Sequence, residues 1–77
     1  MTHHGTITGS SESVIWDFVS GLSPRDGDTL IVWRPVYGRF EALVWDRAMP
    51  RGGGWIYIGQ GTEAACEARL LAEGYDL

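Results

Sequence analysis

The residues of this chain that could do chemistry are few, and their spacing completes no catalytic set. His3 and His4 put two imidazoles side by side, a pair that can bind a metal, yet no acidic or cysteine ligands accompany them at regular spacing. Cys66 is the only thiol. Glu63, Glu67 and Glu73 surround it in sequence, and their charge would raise a thiol pKa, the wrong direction for a nucleophile. Gly52-Gly53-Gly54 lacks the lysine and the spacing of a phosphate-binding loop, so it reads as a flexible hairpin connection. No residues pair for acid–base or nucleophilic work. The expectation is therefore a protein that is not an enzyme and uses neither metal nor cofactor.

What remains is the chemistry of contact. Two aliphatics, a tryptophan and a charge recur as Val14-Ile15-Trp16-Asp17, Ile31-Val32-Trp33-Arg34 and Leu43-Val44-Trp45-Asp46, and Trp55 follows. Tryptophan carries a large apolar area and is enriched at binding hot spots. All six basic residues are arginine, the cation that recurs at interfaces. Ten acids against those six bases leave a net charge of −4. Residues 25–51 hold five arginines and four acids, so the negative charge gathers toward the two ends of the chain. An acidic chain without lysine is poorly equipped to neutralise phosphates.

These residues need elements to position them. A chain of 77 residues is one domain, expected over residues 10–77 with residues 1–9 as a flexible lead-in. At most a short extended piece is expected at Thr6-Ile7-Thr8. Val14, Ile15, Phe18, Val19 and Leu22 fall on one helical arc, with Ser10 or Ser11 as N-cap and Gly21 and Pro24 as the stop, which predicts a helix over Ser11–Ser20. Three strands follow, Thr29–Arg34, Phe40–Asp46 and Trp55–Gly59, the first two joined by Pro35-Val36-Tyr37-Gly38. A second helix runs from Thr62 to about Glu73 and ends at Gly74. Its apolar arc reads as Ala64, Ala65, Ala68, Leu71 and Ala72, leaving Cys66 and Leu70 outside among the glutamates.

Strand alternation sorts the side chains into two faces. Ile31 and Trp33, with Phe40, Ala42 and Val44, should meet the helices. Val32, Arg34, Leu43, Trp45 and Arg47 point the other way, and Trp55 and Tyr57 could join either face. The predicted fold is α+β, a three-stranded antiparallel sheet with both helices on one face.

The order α-β-β-β-α, with Gly59-Gln60-Gly61-Thr62 leading into Glu63-Ala64-Ala65-Cys66-Glu67-Ala68, resembles the double-stranded-RNA-binding domain over residues 10–74. That family grips phosphates with lysines at the start of its second helix; Glu63 and Glu67 stand there in this chain, so the resemblance implies the fold without the RNA binding. In size, acidity and lack of catalytic residues the chain also looks like small phage-encoded inhibitors such as anti-CRISPR proteins.

The function expected is non-catalytic binding of a protein partner, as an inhibitor or adaptor. Two routes stay open. Val32, Arg34, Leu43, Trp45, Arg47, Trp55 and Tyr57 would meet the partner through an open sheet face, or Glu63, Glu67, Glu73 and Asp76 would occupy the basic groove of a nucleic-acid-binding protein or complex. The alternatives are a nucleic-acid-binding domain that stacks bases on its aromatic face, which the acidity disfavours, and a homodimer through the tryptophan face. The apolar runs are too short for a membrane span, no signal-peptide pattern opens the chain, and one cysteine forms no internal disulfide, so a cytoplasmic location is expected.

Overall fold

Runs of β-branched and aromatic residues set the strands, and glycines and prolines separate them. The computed structural model describes residues 2–8 and 25–77. In chain order these form β1 (Thr2–Thr6), β2 (Thr29–Arg34), β3 (Arg39–Asp46), a 3-10 turn at Pro50–Gly52, β4 (Gly54–Gly61) and the helix α1 (Glu63–Ala72). One sheet takes all four strands in the order β1-β2-β3-β4. β2, β3 and β4 form an antiparallel meander, whereas β1 lies parallel to β2. The class is α+β, as expected.

The details differ from the three-stranded antiparallel sheet with two helices. The fourth strand is the stretch expected as a lead-in. Thr2-His3-His4-Gly5-Thr6 shows no apolar alternation, and an edge strand does not require one. Backbone pairing places it instead, with Thr2 opposite Thr29 through Thr6 opposite Trp33. The Thr2 and Thr29 hydroxyls hydrogen-bond at 2.5 Å, and the Ile7 amide donates to the Trp33 carbonyl at 2.9 Å. The predicted helix over Ser11–Ser20, and Trp16 on it, lie outside the described residues.

The predicted faces of β2 and β3 hold. Ile31, Ala42 and Val44 are buried together with Cys66 and Leu70 of α1, and Phe40, Ile58 and Tyr75 pack against them. Leu30, Val32 and Leu43 are buried on the opposite face with Ile7, and Trp55 packs there. β4 pairs Trp55 with Trp45, Tyr57 with Leu43 and Ile56 with Val44. Trp55 and Tyr57 therefore join the face away from α1. A register shift between Ala42 and Leu43 leaves Ile58 as the extra residue of a bulge.

The helix is rolled relative to its predicted arc. Cys66 and Leu70, expected outside, are fully buried, while Ala64, Ala65, Ala68, Leu71 and Ala72 are exposed. Both arcs hold one leucine, so apolar area alone does not choose between them; Cys66 and Leu70 are the pair that packs with Ile31, Ala42 and Val44, and Leu71 is left 57% exposed. Thr62 caps the helix as expected, its Oγ1 accepting from the Ala65 amide at 3.1 Å. At the other end the Tyr75 amide donates to the Leu70 carbonyl and the Gly74 amide to that of Leu71, with Gly74 at φ +90°. This is a Schellman closure, and its accompanying apolar contact is made by Tyr75 and Leu70 in the same core.

Candidate functional site

Arg34 and Arg39 stand opposite each other at the hairpin end of β2 and β3. Like charges so placed repel unless an acid intervenes. Glu41, two residues along the same face of β3, supplies it. Its Oε1 accepts from Arg34 Nη1 at 3.1 Å, and its Oε2 accepts from Arg39 Nη2 at 3.0 Å and Nε at 3.2 Å. The Arg34 and Glu41 side chains are almost completely buried, 2% and 6% exposed, whereas Arg39 reaches solvent. Arg34 Nη1 also donates to the Tyr57 hydroxyl at 3.4 Å.

Tyr37 of the turn closes the arrangement. The guanidinium carbons of Arg34 and Arg39 lie 5.2 and 4.6 Å from its ring centroid, within cation–π range. The turn geometry brings the ring there: the Arg34 carbonyl accepts from the Tyr37 and Gly38 amides at 3.0 and 2.9 Å, and Gly38 sits at φ +65°. Among the described residues the cluster holds two guanidiniums and one carboxylate. They line a hollow of about 390 Å³ with Tyr37, Tyr57 and Gln60. Tyr37 and Tyr57, which line it, are exposed by 45% and 40%, and Val36 beside Tyr37 in the turn by 54%. The chemistry available is adhesion, through aromatic rings held in place by charge pairs and a guanidinium with open sides.

The residues expected at a site are only partly brought together. Arg34 and Tyr57 belong to this patch. Val32 and Leu43, expected on an open face, are buried in the core with Ile7, and Arg34 is buried beside Glu41. That correction has a simple cause: both faces of β2 are apolar, and each has a core of its own. Trp45 and Trp55 are half-buried and pack edge to face at 5.4 Å and 73°. Trp55 Nε1 is buried and finds no acceptor among the described residues. Arg47 is exposed, its amide donating to Asp26 Oδ1 at the far end of the sheet. Glu63, Glu73 and Asp76 are exposed and Glu67 is half-buried. Glu73 accepts from Arg69 Nη2 at 3.1 Å, an exposed pair one helical turn apart.

Tyr37, Arg39, Glu41 and His4 had no place among the expected site residues. A signal for the first three was present: arginines flanking a four-residue turn, with an acid two positions on along one strand face. His4 stood out in the sequence only as half of the His3-His4 pair; nothing local could have marked Glu63 and Glu67 as its neighbours, because they are far away in sequence. Burial pushes the Cys66 thiol above its ordinary pKa, and the carboxylates of Glu41, Glu63 and Glu67 push it the same way. This matches an inert, structural thiol. Among the described residues no helix is long and apolar enough to cross a membrane. No family model, no curated protein and no solved structure matches this chain.

Proposed function

We propose that this chain is a small acidic protein-binding module that acts by contact without catalysis, and that it docks through the hairpin patch of Val36, Tyr37, Arg39 and Tyr57. The observation that carries this reading is the pair of exposed tyrosines beside the buried Arg34–Glu41 pair and the solvent-reaching Arg39 that Glu41 also binds. Rigid aromatic anchors lose little conformational entropy on binding, and tyrosine and arginine are the residues that dominate interface energetics. The partner surface that fits carries an apolar pocket for Tyr37 beside an acid for Arg39.

The inhibitor reading draws on a separate surface. Glu63, Glu67, Glu73 and Asp76 would stand in for nucleic-acid phosphates in the basic groove of a nucleic-acid-binding partner. The two surfaces respond differently to salt, because exposed charges are screened beyond about 8 Å at physiological ionic strength. Affinity capture from host extract should be run with the native chain, Tyr37→Ala and a Glu63→Gln/Glu67→Gln/Glu73→Gln variant, each checked for folding by circular dichroism. A partner retained at high salt and lost with Tyr37→Ala supports the hairpin patch. One lost at moderate salt and with the glutamine variant moves the contact to the helix. A low-salt gel shift with single- or double-stranded nucleic acid would sink both.

A further inference from the structure

We propose that His4, Glu63 and Glu67 form a binding site for a divalent transition-metal cation, with Zn²⁺ the ion best matched to the donors. One ligand atom from each of the three lies within 4.8 Å of the others. Two elements far apart in sequence deliver them. His4 sits in β1 opposite Ile31, which puts its side chain on the face that α1 covers. Glu63 and Glu67 are one turn apart on α1, bordering the Cys66–Leu70 stripe that the helix buries. The roll of the helix described above is what turns these acids toward β1 rather than away from it.

Two glutamates at this spacing would by themselves be a solvated helix edge. The imidazole from a separate element makes them a mixed nitrogen and oxygen donor set. Zinc takes such donors at about 2.0–2.2 Å and often uses three protein ligands with a fourth position open. His4 and Glu63 are exposed and Glu67 is half-buried, so the side chains have room to draw together on an ion.

A second observation concerns the space beside the donors. His4 and Glu63 also line a groove of about 540 Å³ whose other walls include Thr6, Ile31, Trp33 and Phe40. The Trp33 and Phe40 rings pack at 4.8 Å there. The open coordination position therefore borders an apolar, aromatic-walled groove, an arrangement that suits a ligand with an apolar body and a metal-binding head. His3 takes no part: the next residue along a strand faces the other way, and its Nε2 lies 4.0 Å from Asp28 Oδ2.

The test is calorimetric titration of the full chain with Zn²⁺ in a non-chelating buffer, with Co²⁺ as a spectroscopic substitute. One-to-one binding is expected, with a Co²⁺ spectrum free of sulfur charge-transfer bands because Cys66 is not a ligand. His4→Ala and Glu67→Gln should each weaken binding by at least the roughly 10–100-fold that losing even an outer-shell partner costs a metal site. His3→Ala should leave it unchanged. Cu²⁺ should quench tryptophan emission in the native chain, and adding Trp33→Phe should remove much of that quenching. Absence of Zn²⁺ binding, binding indifferent to both His4→Ala and Glu67→Gln, or binding lost with His3→Ala would each overturn the assignment. Circular dichroism of every variant separates loss of a ligand from loss of the fold.

Discussion

Replacing Glu41 by glutamine would take from the Arg34 guanidinium, only 2% exposed, the buried carboxylate that accepts from it at 3.1 Å. Breaking a buried ion pair from one side costs about 3–5 kcal/mol, because the remaining charge stays desolvated. Glu41→Gln should lower stability in urea denaturation by about 3 kcal/mol, a large part of what so small a domain has. Arg39→Ala removes a cation that is 37% exposed and already solvated, so it should cost less than about 1 kcal/mol. Equal losses for the two would mean that Glu41 serves both arginines alike, against the difference in their burial. The same contrast governs their use. Arg34 holds the patch together, and Arg39 is the one that can reach a partner.

At the scale of elements, the return from β3 to β4 depends on Gly53. Its φ of +129° is a conformation that side-chain-bearing residues rarely adopt, and an added Cβ would stand 2.7 Å from Trp45 Cε2. Gly53→Ala should destabilise the fold by about 1–3 kcal/mol and alter the near-ultraviolet circular dichroism of the Trp45–Trp55 pair. Gly59→Ala is the control. Its φ lies outside the left-handed region, and the added methyl meets the base of the Arg69 side chain, Cγ at 3.0 Å and Cβ at 3.4 Å, which must give by a few tenths of an ångström. Its midpoint should move by much less. These elements also show what could be read from the sequence. Strands β2 and β3, their faces and the Thr62 and Gly74 caps were legible, because alternation and capping are local signals. Strand β1 was not, since Thr2–Thr6 is held by pairing with residues far along the chain. The roll of α1 was missed because four alanines and one leucine make a weak arc. Of the candidate site, Arg34 and Tyr57 were legible as face-sharing residues, while His4 meeting Glu63 and Glu67 required knowledge of the fold.

For the whole molecule, pH acts through charge and through Cys66. The thiol's folded pKa lies above its unfolded value, because burial and nearby carboxylates favour the neutral form. Unfolding thus releases a proton wherever the unfolded thiol is ionised and the folded one is not. The stability from this group is fully present below the unfolded pKa, about 8.5, and is lost as pH rises through the folded value. Thermal midpoints measured from pH 7 to 10 should fall above about pH 8.5, and Cys66→Ala should flatten that fall while lowering stability at neutral pH. An unchanged slope in the variant would assign the alkaline loss to the rising negative charge of the whole chain, which starts at −4.

The parallel pairing of β1 with β2 has a consequence for the order of events on the ribosome. Thr2 and its neighbour Thr29 are 27 positions apart, whereas β2, β3 and β4 follow one another through short connections. In a growing chain the stretch Thr2–Thr6 is made before β2, so it has no template until β2 exists, and among the described elements α1 comes last. An apolar strand left waiting that long would invite pairing with the wrong neighbour. Threonine, histidine and glycine do not. The polar composition that hid β1 from view suits a strand that must wait for the neighbour it pairs with.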